Sequence, residues 1–303
     1  MFKNLTVLRV AEAGPDDLAA VDQALRRTPF VPCGPTQAES RGWVPPRDEA
    51  HAPLVESLGG QRLMRFRLET KRVPAAVVRR ELQARCAHIE ATEGRQPGRR
   101  EQRELKEAIV QALLPQAFAS RADVWVWHDV RAQRLLLDTT TARRVDAVTT
   151  ALVEALPGWR LEPPATQLSP ATAMANWLAS PPEDWPPHLA PGREVELRGD
   201  GDSPPVVRLL RHVLQTDAMR EHLQQGKRPT RLALDWDGRV QFVLTESLQL
   251  RRITLDDGVF EANDQGEVDR FDADALIITG ELSSLLDDLI AALGGWSHPS
   301  SPA

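Results

Sequence analysis

Apolar and polar positions alternate in short runs along most of this chain, with stretches of helical spacing set between them. Residues 4–10, NLTVLRV, alternate and are rich in β-branched side chains, which predicts a strand. Pro15 followed by two Asp predicts a helix running to about Arg27, since Pro suits a first helical turn and acids there complement the helix dipole. Residues 31–47 are dense in Pro and Gly and read as a loop with Trp43 docked on the body. In 61–69, QRLMRFRLE, apolar and basic side chains alternate in imperfect register. That turns Leu63 and Phe66 toward a core and leaves Arg62, Arg65 and Arg67 available to solvent or a ligand.

Pro74 opens a predicted helix over 74–92, with Val77, Val78, Leu82, Ala84 and Ile89 as its apolar positions. GRQPGR (94–99) breaks it, and a second helix follows over about 101–113, so the two form a helical hairpin. DVWVWHDVRAQRLLLDTT (123–140) reads as a β-hairpin, with His128 exposed near its turn. A helix over about 141–156 carries Val145, Val148, Leu152 and Leu156 at helical spacing. Pro then clusters over 157–191, which argues against regular helix or central strand and for a linker or irregular wrap. Trp159, Trp177 and Trp185 lie in or beside it, so it should pack rather than float.

The C-terminal part repeats the style. REVELRG (193–199) and VVRLLRHVL (206–214) predict a hairpin, with Arg208 and His212 on one face and Arg211 on the other. Thr216 is a candidate N-cap for a helix of about 217–225. LALDW and RVQFVL flank Asp237-Gly238, the clearest turn signal in the chain. Residues 273–293 read as a strand, ALIITG, then a helix stopped by Gly294-Gly295, with a frayed tail, WSHPSSPA. The resulting class is α+β: a β-hairpin-rich body with a projecting helical hairpin. The expected division is residues 1–70 and 120–165 as a central α+β domain, 71–119 as an inserted helical tip, and 166–303 as a C-terminal α+β base.

At 303 residues the chain is long enough for two or three domains, and its hydrophobic content of 42% suits a globular protein. No apolar run reaches the length of about 18 residues that a membrane helix needs, and no secretory signal pattern opens the chain. A cytoplasmic protein without membrane contact is the expectation. Cys33 and Cys86 have neither CxxC spacing nor a paired His motif, so metal binding and a disulfide are not expected.

Charge changes the picture more. The net charge is −6, yet residues 62–106 hold 13 Arg and Lys. Arg79, Arg80, Arg85, Arg95, Arg99, Arg100, Arg103 and Lys106 are among them. A concentrated positive field attracts polyanions, which suggests nucleic acid on an otherwise acidic body. The competing reading is a solvated helical face, because Glu is interleaved with the Arg. The acidic counterpart is 256–288, where Asp256, Asp257, Asp269, Asp272 and Asp274 are candidate Mg²⁺ ligands for a nuclease. Their spacing matches no calcium loop, and no Lys or His stands nearby to complete a nuclease site. Neither GxxxxGK[ST] nor GxGxxG occurs, so no cofactor is expected.

Several longer strings are more specific. MFKNLTVLRV (1–10), FVPCGPTQAESRGWVPP (30–46), LKEAIVQALLPQAF (105–118), TRLALDWDGRVQFVL (230–244) and FDADALIITGELSSLLDDLIAALGG (271–295) occur in this order. With them the chain resembles the bacterial recombination-associated protein RdgC family over nearly its whole length. The resemblance implies a non-enzymatic, nucleoid-associated protein that binds single- and double-stranded DNA with little sequence preference. It further implies a ring-shaped homodimer with a positively lined hole, closed by two contacts, that antagonises RecA by limiting its access to DNA.

The same resemblance points to individual residues. Phe118 stands where the family has a functionally important aromatic, and dimer closure, DNA stacking and plain core packing are its three readings. Gln116 stands where the family commonly has Arg, which puts a charge contact there in doubt and leaves Arg121 or Arg99 as substitutes. Arg211 and His212 fall where the family has a basic residue and then a polar one, and are carried over as DNA contacts, a surface salt bridge being the alternative for Arg211. Arg79, Arg80, Arg99 and Arg100 on the hairpin, and Lys227, Arg228 and Arg231 before LALDW, complete the candidate lining. A metal-dependent nuclease and a scaffold gripping an acidic protein partner remain the alternatives.

Overall fold

A computed structural model describes residues 1–14, 17–47, 49, 51–260 and 270–297. The strands are β1 (Leu5–Glu12), β2 (Glu39–Val44), β3 (Val55–Leu58), β4 (Gln61–Lys71), β5 (Ala119–Asp129), β6 (Arg134–Leu137), β7 (Arg160–Glu162), β8 (Leu189–Arg198), β9 (Val206–Leu210), β10 (Arg228–Trp236), β11 (Val240–Thr245) and β12 (Gln249–Leu255). The helices are α1 (Leu18–Leu25), α2 (Ala75–Glu93), α3 (Arg99–Leu113), α4 (Ala142–Ala155), α5 (Pro170–Ala179), α6 (Asp217–Gln224) and α7 (Arg270–Ala292). The twelve described strands join one sheet in the order β2-β4-β5-β6-β1-β12-β11-β10-β8-β9, with β3 on β4 and β7 on β1.

The described strand pairs are antiparallel, so side chains alternate between two faces. One face buries Leu63, Trp127, Leu136, Val195, Leu232 and Phe242 under α5, α6 and α7. The other buries Val10, Phe66, Val126, Leu135 and Leu137 under α1 and α4. That second core includes no residue of β8 to β12. Among the described residues the sheet is thus covered twice at its N-terminal half and once at its C-terminal half. Between β4 and β5 the helical hairpin leaves the body, and it is thinly packed: Val78 is the one buried residue of α2, and Ile109 that of α3.

Local signals fixed many ends. Thr216 caps α6 by accepting the Met219 N–H. Asp237 and Gly238, both at positive φ, form the turn closed by the Arg239 N–H on the Trp236 carbonyl. Gly94 ends α2 in the left-handed conformation. Asp17 caps α1; Pro15 lies outside the described residues.

Elsewhere the structure corrects the sequence reading. Part of the expected loop 31–47 is strand β2, with Trp43 buried. Gly42 is required there, because a Cβ would stand 2.5 Å from the Phe30 backbone nitrogen. Arg62 and Arg65 are buried rather than available, since β4 runs between neighbouring strands and both its faces are covered; Arg67 is half-buried on Asp123. His128 is 2% exposed inside β5, edge-to-face with Trp159 at 4.7 Å. The Pro-rich stretch includes helix α5, because Pro170 occupies a first turn capped by Ser169, where its missing N–H costs nothing. ALIITG is not a strand. Ala275, Ile278, Thr279, Leu282, Leu285, Leu286 and Leu289 keep helical spacing through it, so α7 is continuous. The tail is docked as far as Ser297, whose N–H donates to Ala165, and Trp296 bridges Thr166.

One buried ionic cluster ties the β5–β6 hairpin to α7. Arg134, with its side chain wholly buried, donates to Asp129 at 2.8 Å and to the Ser283 hydroxyl at 3.0 Å, and the Ser283 hydroxyl in turn donates to Asp129 at 2.7 Å. Asp287 lies 2.9 Å from Arg134. Burial pushes the Asp129 carboxyl up, but the hydrogen bonds from Ser283 and Arg134 and the guanidinium charge outweigh it and hold it below the usual carboxylate range.

Candidate nucleic-acid interface

The face that α1 and α4 leave open carries a cluster of arginines. On β8 the residues facing away from the core include Glu194 and Glu196; on β9, Arg208 and Leu210; on β10, Arg231 and Ala233. With Arg193, Arg211 and Arg252 they line a groove of about 570 Å³. Five arginines there face two glutamates, Glu194 and Glu196.

The geometry of the groove follows from strand register. Glu196 stands opposite Arg208 on one side and Arg231 on the other. It accepts from Arg208 Nε at 2.6 Å and from the Thr230 hydroxyl at 2.8 Å, with Arg231 Nη1 at 3.7 Å. Burial raises the Glu196 carboxyl, and these hydrogen bonds and cations more than reverse it, leaving it below the usual range. Glu194 pairs with Arg252. Arg251, opposite Val243 on β11, has its guanidinium pKa lowered, first by burial and then by the charge of Arg231. Cations here raise one another's energy, and a bound anion would relieve that repulsion.

Arg211 sits just past the end of β9, not within a strand. Its φ is +55°, and its carbonyl is held by Arg193 Nη2 at 3.1 Å. The turn breaks the expected alternation, so Arg208 and Arg211 line the same groove instead of opposite faces. His212 is exposed beside them, its Nδ1 2.6 Å from the Val213 carbonyl oxygen.

A second groove, about 1050 Å³, lies on the same face at the far end of the sheet. Arg41 of β2, Arg72 after β4, and Arg143 and Arg144 in the first turn of α4 line it, with Phe118 at its rim. Phe118 is 95% exposed, which removes plain core packing from its three readings. It follows a 3-10 turn at Leu114–Gln116, in which Gln116 is exposed.

The other sequence-predicted cations are scattered. Arg79, Arg80, Arg99 and Arg100 are exposed on the helical hairpin. Arg80 pairs with Glu81 at 3.4 Å and Arg100 with Glu104 at 3.0 Å, whereas Arg79 and Arg99 have no ion pair among the described residues. Arg121 pairs with the buried Glu69 at 2.6 Å and stacks over Phe30. Lys227 is half-buried against His222 and Gln225 at the end of α6, and Arg228 is exposed, 3.7 Å from Asp200. Neither lines the arginine groove. Sequence reasoning missed Arg193, Arg252, Arg41, Arg72, Arg143 and Arg144. Cross-strand register is what collects the groove residues, and a single sequence carries no register signal beyond its hairpins.

The C-terminal carboxylates are dispersed. Asp272 pairs with Arg47, Asp274 lies 3.9 Å from Arg270, and Asp256 caps a 3-10 turn by accepting from Gly258. Asp269 lies outside the described residues. Among the described residues no group of three or more His, Cys, Asp or Glu is placed to hold a metal ion, and no helix is long and apolar enough to cross a membrane.

Fold and groove together define an α+β protein built on one antiparallel sheet, with an arginine-lined surface on its open face. The family model described as "Putative exonuclease, RdgC" matches residues 1–296. A protein of Janthinobacterium sp. (strain Marseille) named recombination-associated protein RdgC is 38% identical over 300 residues, covering 97% of this chain and 98% of its own. Its namesake in Cupriavidus pinatubonensis is 37% identical over 297 residues, with 97% and 98% covered, and that of Dechloromonas aromatica is 38% identical over 300, with 97% of each. The chain belongs to the RdgC family of recombination-associated proteins.

Proposed function

We propose that this protein binds DNA, single- or double-stranded and without sequence preference, as a ring-shaped homodimer, and that it restrains recombination by limiting the access of RecA to DNA. The observation that carries the reading is the groove on the open sheet face, which five arginines line together with two glutamates. Guanidinium groups on a sheet face contact phosphates, which are the same in every sequence. The helical tip, residues 71–119, adds exposed Arg79 and Arg99. In this reading the protein is not an enzyme and associates with the nucleoid.

Two exposed apolar features support assembly. Strand β9 is an edge of the sheet, and Val206, Leu210 and, just beyond it, Val213 are exposed there. Such an edge is a template for pairing with another chain. Phe118 at the base of the tip is a large apolar side chain in solvent, which fits an interface anchor. Sedimentation of the Phe118→Ala variant is expected to shift the dimer toward monomer by roughly 1–3 kcal/mol of association energy, the usual cost of truncating an aromatic anchor. An unchanged dimer would remove Phe118 from the interface.

The function is tested by fluorescence anisotropy on two unrelated labelled duplexes and one single strand across a salt series. The two duplexes are expected to bind alike, and all affinities to fall steeply with salt. Absence of binding at low salt would sink the DNA reading. The word exonuclease in the matching family description favours a second reading, metal-dependent cleavage through Asp272 and Asp274. The ion pairs that occupy both carboxylates weigh against it. DNA left intact after long incubation with Mg²⁺ or Mn²⁺ would remove it.

A further inference from the structure

On the reading that the arginine groove meets DNA, we infer that Glu196 is a positioning residue that presents Arg208 and Arg231 to the phosphate backbone. A carboxylate next to a polyanion site is an electrostatic liability, yet this one stands at the centre of the groove. Its placement explains why. Glu196 is 5% exposed, while the side chains of Arg208 and Arg231 are 63% and 43% exposed. The acid lies at the floor and the two cations rise from it.

The atoms in contact matter. Arg208 meets Glu196 through Nε, at 2.6 Å, so both of its terminal nitrogens remain for another partner. The other Glu196 oxygen takes the Thr230 hydroxyl at 2.8 Å, which fixes the carboxylate's own orientation. Arg231 approaches from the opposite strand at 3.7 Å, close enough for attraction without a hydrogen bond. A lone surface arginine samples many rotamers, and a phosphate contact must overcome that entropy. Glu196 restricts Arg208 through that hydrogen bond and draws Arg231 toward the same site by its charge before DNA arrives. Standing between them, its charge also offsets the repulsion between Arg208 and Arg231.

The sign of one measurement separates this role from a simple charge effect. Removing a negative charge beside DNA strengthens binding by Coulomb attraction alone; loss of positioning weakens it. Glu196→Gln in the full chain is to be measured by anisotropy on a labelled duplex across salt, with a thermal melt as fold control. Affinity is expected to fall roughly three- to tenfold despite the added positive charge, with the salt slope shallower by about one phosphate contact. In an Arg208→Ala, Arg231→Ala background the same substitution should no longer weaken binding. Equal or tighter binding by a folded Glu196→Gln protein would overturn the inference. Arg208→Lys covers the case in which Glu196→Gln fails to fold. It keeps the charge but cannot give an Nε–H to Glu196 while offering terminal nitrogens outward, so it too should weaken binding, and unchanged binding would overturn the role. Arg208→Ala and Arg231→Ala test the underlying reading. If neither affects DNA affinity, the groove is not the DNA site and the Glu196 role falls with it; if both weaken binding while Glu196→Gln tightens it, the positioning role alone fails.

Discussion

Arg134→Leu is expected to destabilise the folded protein by about 3–5 kcal/mol, the range for removing one partner of a buried ion pair. The reason lies in what stays behind. Asp129 is 1% exposed and would be left with the Ser283 hydroxyl and the Ala132 N–H as its donors among the described residues, so it must either stay buried as a charge or take up a proton, and each is costly. The penalty is therefore the carboxyl left without its cation more than the lost contact. Chemical denaturation reads the loss directly. The double variant Asp129→Leu with Arg134→Leu should recover part of it, because neither charge then remains buried. A single-variant cost below about 1 kcal/mol would mean that water reaches the cluster. The pH dependence has a definite sign. The folded pKa of Asp129 lies below its unfolded value, so the carboxylate's contribution is complete above the unfolded pKa and is lost as pH falls through the folded one. Wild-type stability should accordingly decline on the acid side, below about pH 4.

Removing Arg193, Arg211 and Arg252 together should have the largest effect on DNA. All three line the groove, and none touches Glu196, so its buried carboxylate keeps its partners. Each phosphate contact accounts for a salt slope of about 0.9, so the triple alanine variant should lose a slope of about two to three and on the order of 10²-fold in affinity at moderate salt. The loss should be the same on unrelated sequences, because phosphates carry no sequence information. A change in sequence preference would contradict backbone contact, and an unchanged affinity would move the DNA site to the helical tip or to the groove beside Phe118.

The elements most legible in the sequence were those whose signals are local. The turn at Asp237-Gly238 needs two residues at positive φ, the cap at Thr216 needs one hydroxyl, and both were found where those residues stand. The helical hairpin followed from Pro74, the glycine break and a 3.6-residue period. The errors arose where a local signal met a tertiary one. ALIITG favours a strand by composition, but packing of its Ile and Ala onto the sheet selects the helical period continued from its C-terminal side. Pro170 looked like a breaker and is a helix start. Polarity alone argues for exposure at Arg62, Arg65 and His128, whereas a strand with neighbours on both sides buries its polar positions too.

For the candidate site, the same division holds between kinds of residue. Arg211 was reached from a family pattern, and Phe118 likewise, but Arg193 and Arg252 were invisible because they come from different strands and meet only through register. The basic stretch at 62–106 is dense in Arg and Lys, yet much of its charge is answered by Glu on the same helices, as in Arg100–Glu104 and Arg103–Glu107. By itself the sequence determined the family, the α+β class, the paired tip helices and the hairpin turns, because these rest on residue identity and on interactions within a few positions. Only the tertiary structure decided that the twelve described strands form one sheet, that among the described residues its C-terminal half is covered on one face alone, and that Glu196 stands between Arg208 and Arg231 on the other. Those are matters of strand order and register, and they are settled by burying the two cores across distant parts of the chain.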